Sequence, residues 1–173
     1  MPGEQLAAAA TAPLALDTPV VERPRAIEYS DAYYTRLTIH RIGSYTMIPL
    51  FIAEYSLGEN LINDATPAGW VKPAHVAVAS GIGVLFGVNT ITGLCNLWEA
   101  RQDPEGRTRR TVHSLLMIAS DAGILTAATL APERDDDVAD DGSFRHRVNR
   151  HRGVAVGSFA LSTIGGAMMW FWK

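Results

Sequence analysis

Apolar residues gather into four long stretches, Ile42–Ile62, Ala74–Trp98, Thr111–Pro132 and Gly153–Trp172, separated by polar segments. The second and fourth contain no Asp, Glu, Lys or Arg, the third only Asp121, and the first only Glu54 and Glu59. A soluble helix would carry charge on its outer face at the helical period. Here the charge lies between the stretches, which predicts lipid on the outside. A bilayer-spanning helix needs about 20 apolar residues. The pattern therefore predicts an all-α integral membrane protein with spans at about 39–62, 73–98, 110–132 and 150–172. Short connections make these an antiparallel four-helix bundle with both termini on the same side.

Residues 1–30, rich in Ala, Pro and Thr, read as a disordered or extended N-terminal arm, and 31–173 as the transmembrane domain. Ser30 and Asp31 offer a helix start ahead of the first span, and Pro49 inside it predicts a kink. Thr-Pro-Ala-Gly at 66–69 and Asp-Pro-Glu-Gly at 103–106 are turn signals. The segment 131–150 carries Asp135, Asp136, Asp137, Asp140 and Asp141 and reads as a solvated acidic loop without the Gly and terminal Glu of a calcium loop. The Met-Pro-Gly-Glu start lacks a basic n-region, so the first span is expected to direct insertion.

The mean hydropathy of +0.05 averages the spans with the polar arm and loop. A net charge of −3 points to no nucleic-acid partner. The single cysteine, Cys95, excludes an internal disulfide and a CxxC-type attachment. Nine of the Lys and Arg residues fall on the side of the termini and six on the other, and Trp98, Trp170 and Trp172 mark the first side against Trp70 on the second. This bias expects cytoplasmic termini in a bacterial inner membrane.

Each stretch has a histidine at or just before its start: His40, His75, His113 and His151. In an up-down bundle His40 and His113 share the side of the termini, and His75 and His151 share the other, each pair on diagonal helices. Two imidazoles facing each other are the axial ligands that a haem iron takes. Gly43, Ala77, Ala79, Ser80, Gly81 and Gly153 provide small side chains near these histidines, and Arg41, Lys72, Arg110, Arg150 and Arg152 provide cations at the surfaces. If the fourth helix starts early, His146 is an alternative to His151. Each histidine, taken singly, also reads as an interfacial residue packing at headgroup level.

The segments Thr38-Ile-His40-Arg41-Ile-Gly43, Lys72-Pro-Ala-His75, Thr111-Val-His113-Ser114 and His151-Arg152-Gly153 resemble the four-helix core of cytochrome b561-like dihaem membrane proteins, over residues 36–172 in layout. The resemblance implies two b-type haems, one on His40 with His113 and one on His75 with His151. It also implies an electron-transfer, oxidoreductase-type function with a quinone or other redox partner.

Glu54, Asp121 and Asn89 are the intramembrane polar residues. Glu54 lies fourteen positions after His40 and Asn89 fourteen after His75, close to the same helical faces. Buried carboxylates in a span are costly and face the bundle interior. They suit proton movement, charge compensation for a cofactor, or interhelical hydrogen bonding. Gly83-xxx-Gly87 and Gly153-xxx-Gly157 are close-approach motifs, within the bundle or against other membrane subunits. Two further functions therefore stand beside the cytochrome: a non-catalytic accessory subunit of a larger membrane complex, and a small proton-coupled transporter using Glu54 and Asp121. No Walker A, G-x-S-x-G or H-E-x-x-H motif is present.

Overall fold

The computed structural model describes residues 27–132 and 142–172. Most of the N-terminal arm, the acidic run Asp135–Asp141 and Lys173 lie outside the described residues. Four helices account for nearly all of the rest, with no strand among the described residues: α1 (Asp31–Asn63), α2 (Val71–Glu99), α3 (Arg107–Thr129) and α4 (Ser143–Phe171).

The ends of the helices follow from local chemistry. Ser30 caps α1, its Oγ accepting from the Tyr33 N–H at 3.1 Å. The helix continues through Pro49 to Asn63. Pro73 sits in the first turn of α2, where its missing N–H costs nothing. A 3₁₀ turn, Ala100–Gln102, tightens the end of α2. Gly106 then reverses the chain at φ 65°, a left-handed conformation open to glycine without strain. Arg110 fastens this corner, donating to the carbonyls of Asp103 at 2.7 Å and Glu105 at 2.5 Å.

Among the described residues three helices are long and apolar enough to cross a membrane: Val71–Gln102, Arg107–Thr129 and Ser143–Phe171. The sequence expects four. By composition α1 falls short: Arg36, Arg41, Glu54 and Glu59 lie along it, with Ser44, Thr46, Pro49 and Ser56 between. Its outward side is nevertheless apolar: Ile39, Ile42, Tyr45, Ile48, Ile52 and Tyr55 are all exposed, while Glu54 is turned inward and buried.

The distribution of polarity is the reverse of a water-soluble protein. Ile42, Ile52, Val84, Ile91 and Leu125 are each more than 60 % exposed, and all four tryptophans face outward. Glu54, Asn89, Thr92, Asn96, Ser120, Ser158 and Ser162 are buried. A chain with apolar side chains outside and hydrogen-bonding ones inside is built for lipid.

Helix α1 packs extensively on α2, and α3 on α4; contacts of α2 with α3 and of α1 with α4 are sparser. The chain thus forms two helical hairpins with a seam between them. Each hairpin is closed by polar contacts. In the first, Arg36 reaches Asn96 Oδ1 at 2.8 Å and Glu99 Oε2 at 2.5 Å. In the second, the fully buried Ser120 hydroxyl donates to the Ser158 carbonyl at 2.7 Å. Midway along the seam Met47, Phe51, Ile82 and Phe86 form the apolar core. Phe159 of α4 stacks on Phe51 with ring centroids 4.1 Å apart.

Candidate functional site: two histidine pairs across the seam

The structure brings the four histidines together in two pairs. His40 of α1 faces His113 of α3 with ring centroids 6.0 Å apart and planes at 76°. His75 of α2 faces His151 of α4 at 6.3 Å and 70°. Both pairs bridge the seam, one histidine from each hairpin. The helices begin before the apolar stretches do, so every histidine lies at least one turn inside its helix. Helix α4 does start early, yet it is His151 that meets His75, and His146 is exposed.

In three of the four rings one nitrogen is hydrogen-bonded within the histidine's own hairpin. His40 Nδ1 is 3.0 Å from the Asn89 carbonyl, His113 Nδ1 2.8 Å from that of Gly165, and His151 Nδ1 2.8 Å from that of Ala127. A carbonyl only accepts, so Nδ1 carries the proton in these three and Nε2 keeps its lone pair. His75 differs. Its Nδ1 lies 3.1 Å from Glu54 Oε1, a charge contact that is not aligned as a hydrogen bond. None of the four Nε2 atoms has a hydrogen-bond partner among the described residues. A metal-bound histidine has this second shell, with one nitrogen given to a carbonyl or carboxylate and the other free to ligate.

The anchoring residues obey one register. Glu54, Asn89, Ala127 and Gly165 each stand fourteen residues after the histidine of their own helix, and each holds the histidine of the neighbouring helix in its hairpin. Fourteen residues are nearly four turns, about 21 Å of helix. The two pairs are therefore about 21 Å apart along the helices, less than the ~30 Å thickness of a hydrocarbon core. The Phe51–Phe86–Phe159 layer lies between them.

Small residues let the rings approach. A Cβ on Gly93 would lie 3.2 Å from His40 Cε1, and one on Gly58 3.5 Å from His75 Cε1. On Gly165 a Cβ would crowd Met117 and Leu116 and stand 3.8 Å from His113 Nδ1. These glycines, with Gly43 against Asn89 and Gly123 against Ser158, make the close approaches. Gly83, Gly87, Gly153 and Gly157 meet nothing within 4 Å. The two motifs read from the sequence thus face away from the neighbouring helices.

The remaining predicted residues divide. Asn89 is buried, and its side-chain amide reaches Ser44 Oγ at 3.3 Å while its carbonyl holds His40. Asp121 accepts from the Thr90 hydroxyl across the α2–α3 contact and belongs to neither histidine pair. Arg41, Lys72 and Arg150 are exposed. Arg152 pairs with Glu59 at 2.8 Å and donates to Tyr55 Oη at 3.0 Å. Arg110 borders a cleft of about 120 Å³ beside the first pair, which also includes Leu37, His40, Gly93, His113 and Met117. Beyond that cleft Tyr29 donates to Asp103, tying the chain ahead of α1 to the α2–α3 corner. Burial first, and then this hydrogen bond to a carboxylate, push the Tyr29 phenol up to about 12. The same bond is the main cause that lowers the Asp103 carboxyl, helped by the Glu105 N–H.

Among the described residues no three His, Cys, Asp or Glu side chains converge; the histidines meet only in twos. The chain matches no known family model, no curated protein and no solved structure.

Proposed function

We propose that this chain is a b-type cytochrome-like carrier that moves electrons across a bilayer through two bis-histidine haems. In this reading α1 is a fourth span, its charge turned inward at Glu54, and the helices form an antiparallel up-down bundle with both termini on the cytoplasmic side of a bacterial inner membrane. The observation that carries it is the arrangement of the histidines: two pairs across the seam, Nδ1–H of His40, His113 and His151 each donated to a carbonyl of its own hairpin, and Nε2 free in all four.

The residues fit the group. A metal–imidazole bond of about 2 Å, with roughly 1.2 Å more to the ring centre, lets two imidazoles share one metal ion at centroid separations of up to about 6.4 Å. The separations of 6.0 and 6.3 Å lie close to this. A structural zinc takes four protein ligands. Two suffice where a macrocycle fills the other positions. The cleft beside His40 and His113 is smaller than the ~300–1,000 Å³ of a typical ligand pocket, so a macrocycle held there would also have to occupy the seam between the hairpins, where contacts are sparse. His40 with His113 would hold one haem and His75 with His151 the other. When bound, each supplies reversible one-electron chemistry. The protein fixes the tautomers of His40, His113 and His151, places Phe51, Phe86 and Phe159 between the sites, and sets the two about 21 Å apart.

The test is an optical spectrum of detergent-purified protein made with ample haem, oxidised and then reduced with dithionite. Reduced b-type bands are expected, with a stoichiometry of two that falls to one in His40→Ala and in His75→Ala. A featureless spectrum rejects the reading. It would leave the accessory-subunit reading, which the outward-facing Gly83, Gly87, Gly153 and Gly157 favour.

A further inference from the structure

Three of the four residues in the fourteen-residue register, Asn89, Ala127 and Gly165, hold their histidine through the backbone carbonyl. At the fourth a side chain takes the carbonyl's place, in a charge contact without a hydrogen bond. Glu54 is 8 % exposed, Oε1 lies 3.1 Å from His75 Nδ1, and Oε2 is buried with no partner. No Lys or Arg comes within ion-pairing distance of Glu54 among the described residues. The geometry of these four positions points to an inference that rests on the haem reading above: Glu54 is a tuning residue that makes the two sites electronically unequal, with the His75–His151 site at the lower reduction potential.

The physical reason is charge. A carboxylate beside Nδ1–H draws the proton toward itself and makes Nε2 a stronger donor to a metal. It also sets a negative charge in a medium where such charges are poorly screened. Both effects favour the more positive, oxidised state of a metal at Nε2. The Coulomb part acts at 3.1 Å whether or not the contact is aligned as a hydrogen bond. A neutral carbonyl at His40, His113 and His151 exerts far less. An electron shared between the sites then rests on the His40–His113 side, the side of the chain termini. The single carboxylate gives a near-symmetric pair of hairpins a direction.

Redox titration of the single-site variants tests this. His40→Ala keeps the His75–His151 site and His75→Ala keeps the other. The first variant is expected to titrate at a lower midpoint potential than the second. Glu54→Gln preserves size and an acceptor oxygen while removing the charge. It is expected to raise the midpoint in the His40→Ala background and leave it unchanged in the His75→Ala background. Equal or inverted midpoints in the two single-site variants overturn the inference, and that comparison does not depend on Glu54→Gln folding. So does a Glu54→Gln shift that is absent, or present equally in both backgrounds. Protein that binds no haem fails the earlier reading instead, so the two failures are distinct.

Discussion

Gly93 and Gly58 occupy corresponding places, each facing a histidine on the other helix of the first hairpin, and their surroundings differ by a few tenths of an ångström. A methyl on Gly93 would sit 3.2 Å from His40 Cε1 and 3.5 Å from Nδ1. Comfortable carbon–carbon contact is about 3.5–4.0 Å, so the ring must retreat by roughly 0.3–0.8 Å. That movement carries Nδ1 away from the Asn89 carbonyl, now 3.0 Å distant, toward the ~3.2 Å edge of a good hydrogen bond. Disturbing the second shell of a metal-bound histidine costs about 10–100-fold in affinity, or about 1.4–2.8 kcal/mol. Gly93→Ala should weaken haem binding at the His40–His113 site by that factor, and Gly93→Val should abolish it. Gly58→Ala brings a methyl to 3.5 Å from His75 Cε1 and 3.9 Å from Nδ1, ordinary contact. It should leave binding at the other site nearly unchanged and add helix stability of up to about 1 kcal/mol. Haem titration into apoprotein measures both, with Gly93→Ala in the His75→Ala background and Gly58→Ala in the His40→Ala background. If Gly93→Val binds haem like its parent, or Gly58→Ala is as harmful as Gly93→Ala, the rings are not held where this reasoning needs them.

Two further predictions concern the framework. A methyl on Gly123 would collide with the Ser158 hydroxyl, so Gly123→Ala should cost about 1–3 kcal/mol by overpacking. The double variant with Ser158→Ala should regain most of it, since the nearest remaining side-chain atom is then Cβ at 3.1 Å; reversible unfolding in mixed micelles gives both values, and no rescue would mean the α3–α4 approach is looser than described. The Tyr29–Asp103 tie should hold over a defined pH range. The Asp103 carboxyl is held low, so its contribution is complete above the ordinary carboxylate value near ~4 and is lost as pH falls through the lowered one. Tyr29 is pushed up to about 12, so its contribution is complete below the ordinary value of 10.0 and is lost as pH rises through about 12. Hydrogen exchange in residues 27–30 should therefore quicken at both extremes, and Tyr29→Phe should quicken it throughout. A Tyr29→Phe protein with wild-type protection would show that the tie carries no stability.

Much of the fold was legible because it is set by hydropathy and turn chemistry along the chain. Ser30, Pro73 and Gly106 mark helix ends or turns through purely local preferences. The uncharged runs of α2 and α4 name their solvent without reference to any neighbour. Helix α1 was harder, since hydropathy averages over a helix and cannot see that Glu54 points inward while Ile42 and Ile52 point out. The histidine pairing was also legible, because alternation of direction puts every second helix start on one side. The close-approach glycines were not. Gly83 and Gly87 have the familiar spacing and touch nothing, whereas Gly58, Gly93, Gly123 and Gly165 lie outside any Gly-xxx-Gly pair and make the contacts. Spacing alone does not say which face of a helix meets its neighbour.

The sequence by itself determined the apolar, lipid-suited surface, the start of α1 at Ser30 and the turn at Gly106, and the presence of one imidazole near the start of each helix, because these depend on composition and on local chemistry along the chain. Only the tertiary structure decided that the rings meet at 6.0 and 6.3 Å, that three are anchored by carbonyls and one by a carboxylate, and that a seam separates two hairpins. Those depend on the rotation and depth of each helix against the next. Packing fixes these to a fraction of an ångström, and hydropathy is indifferent to them.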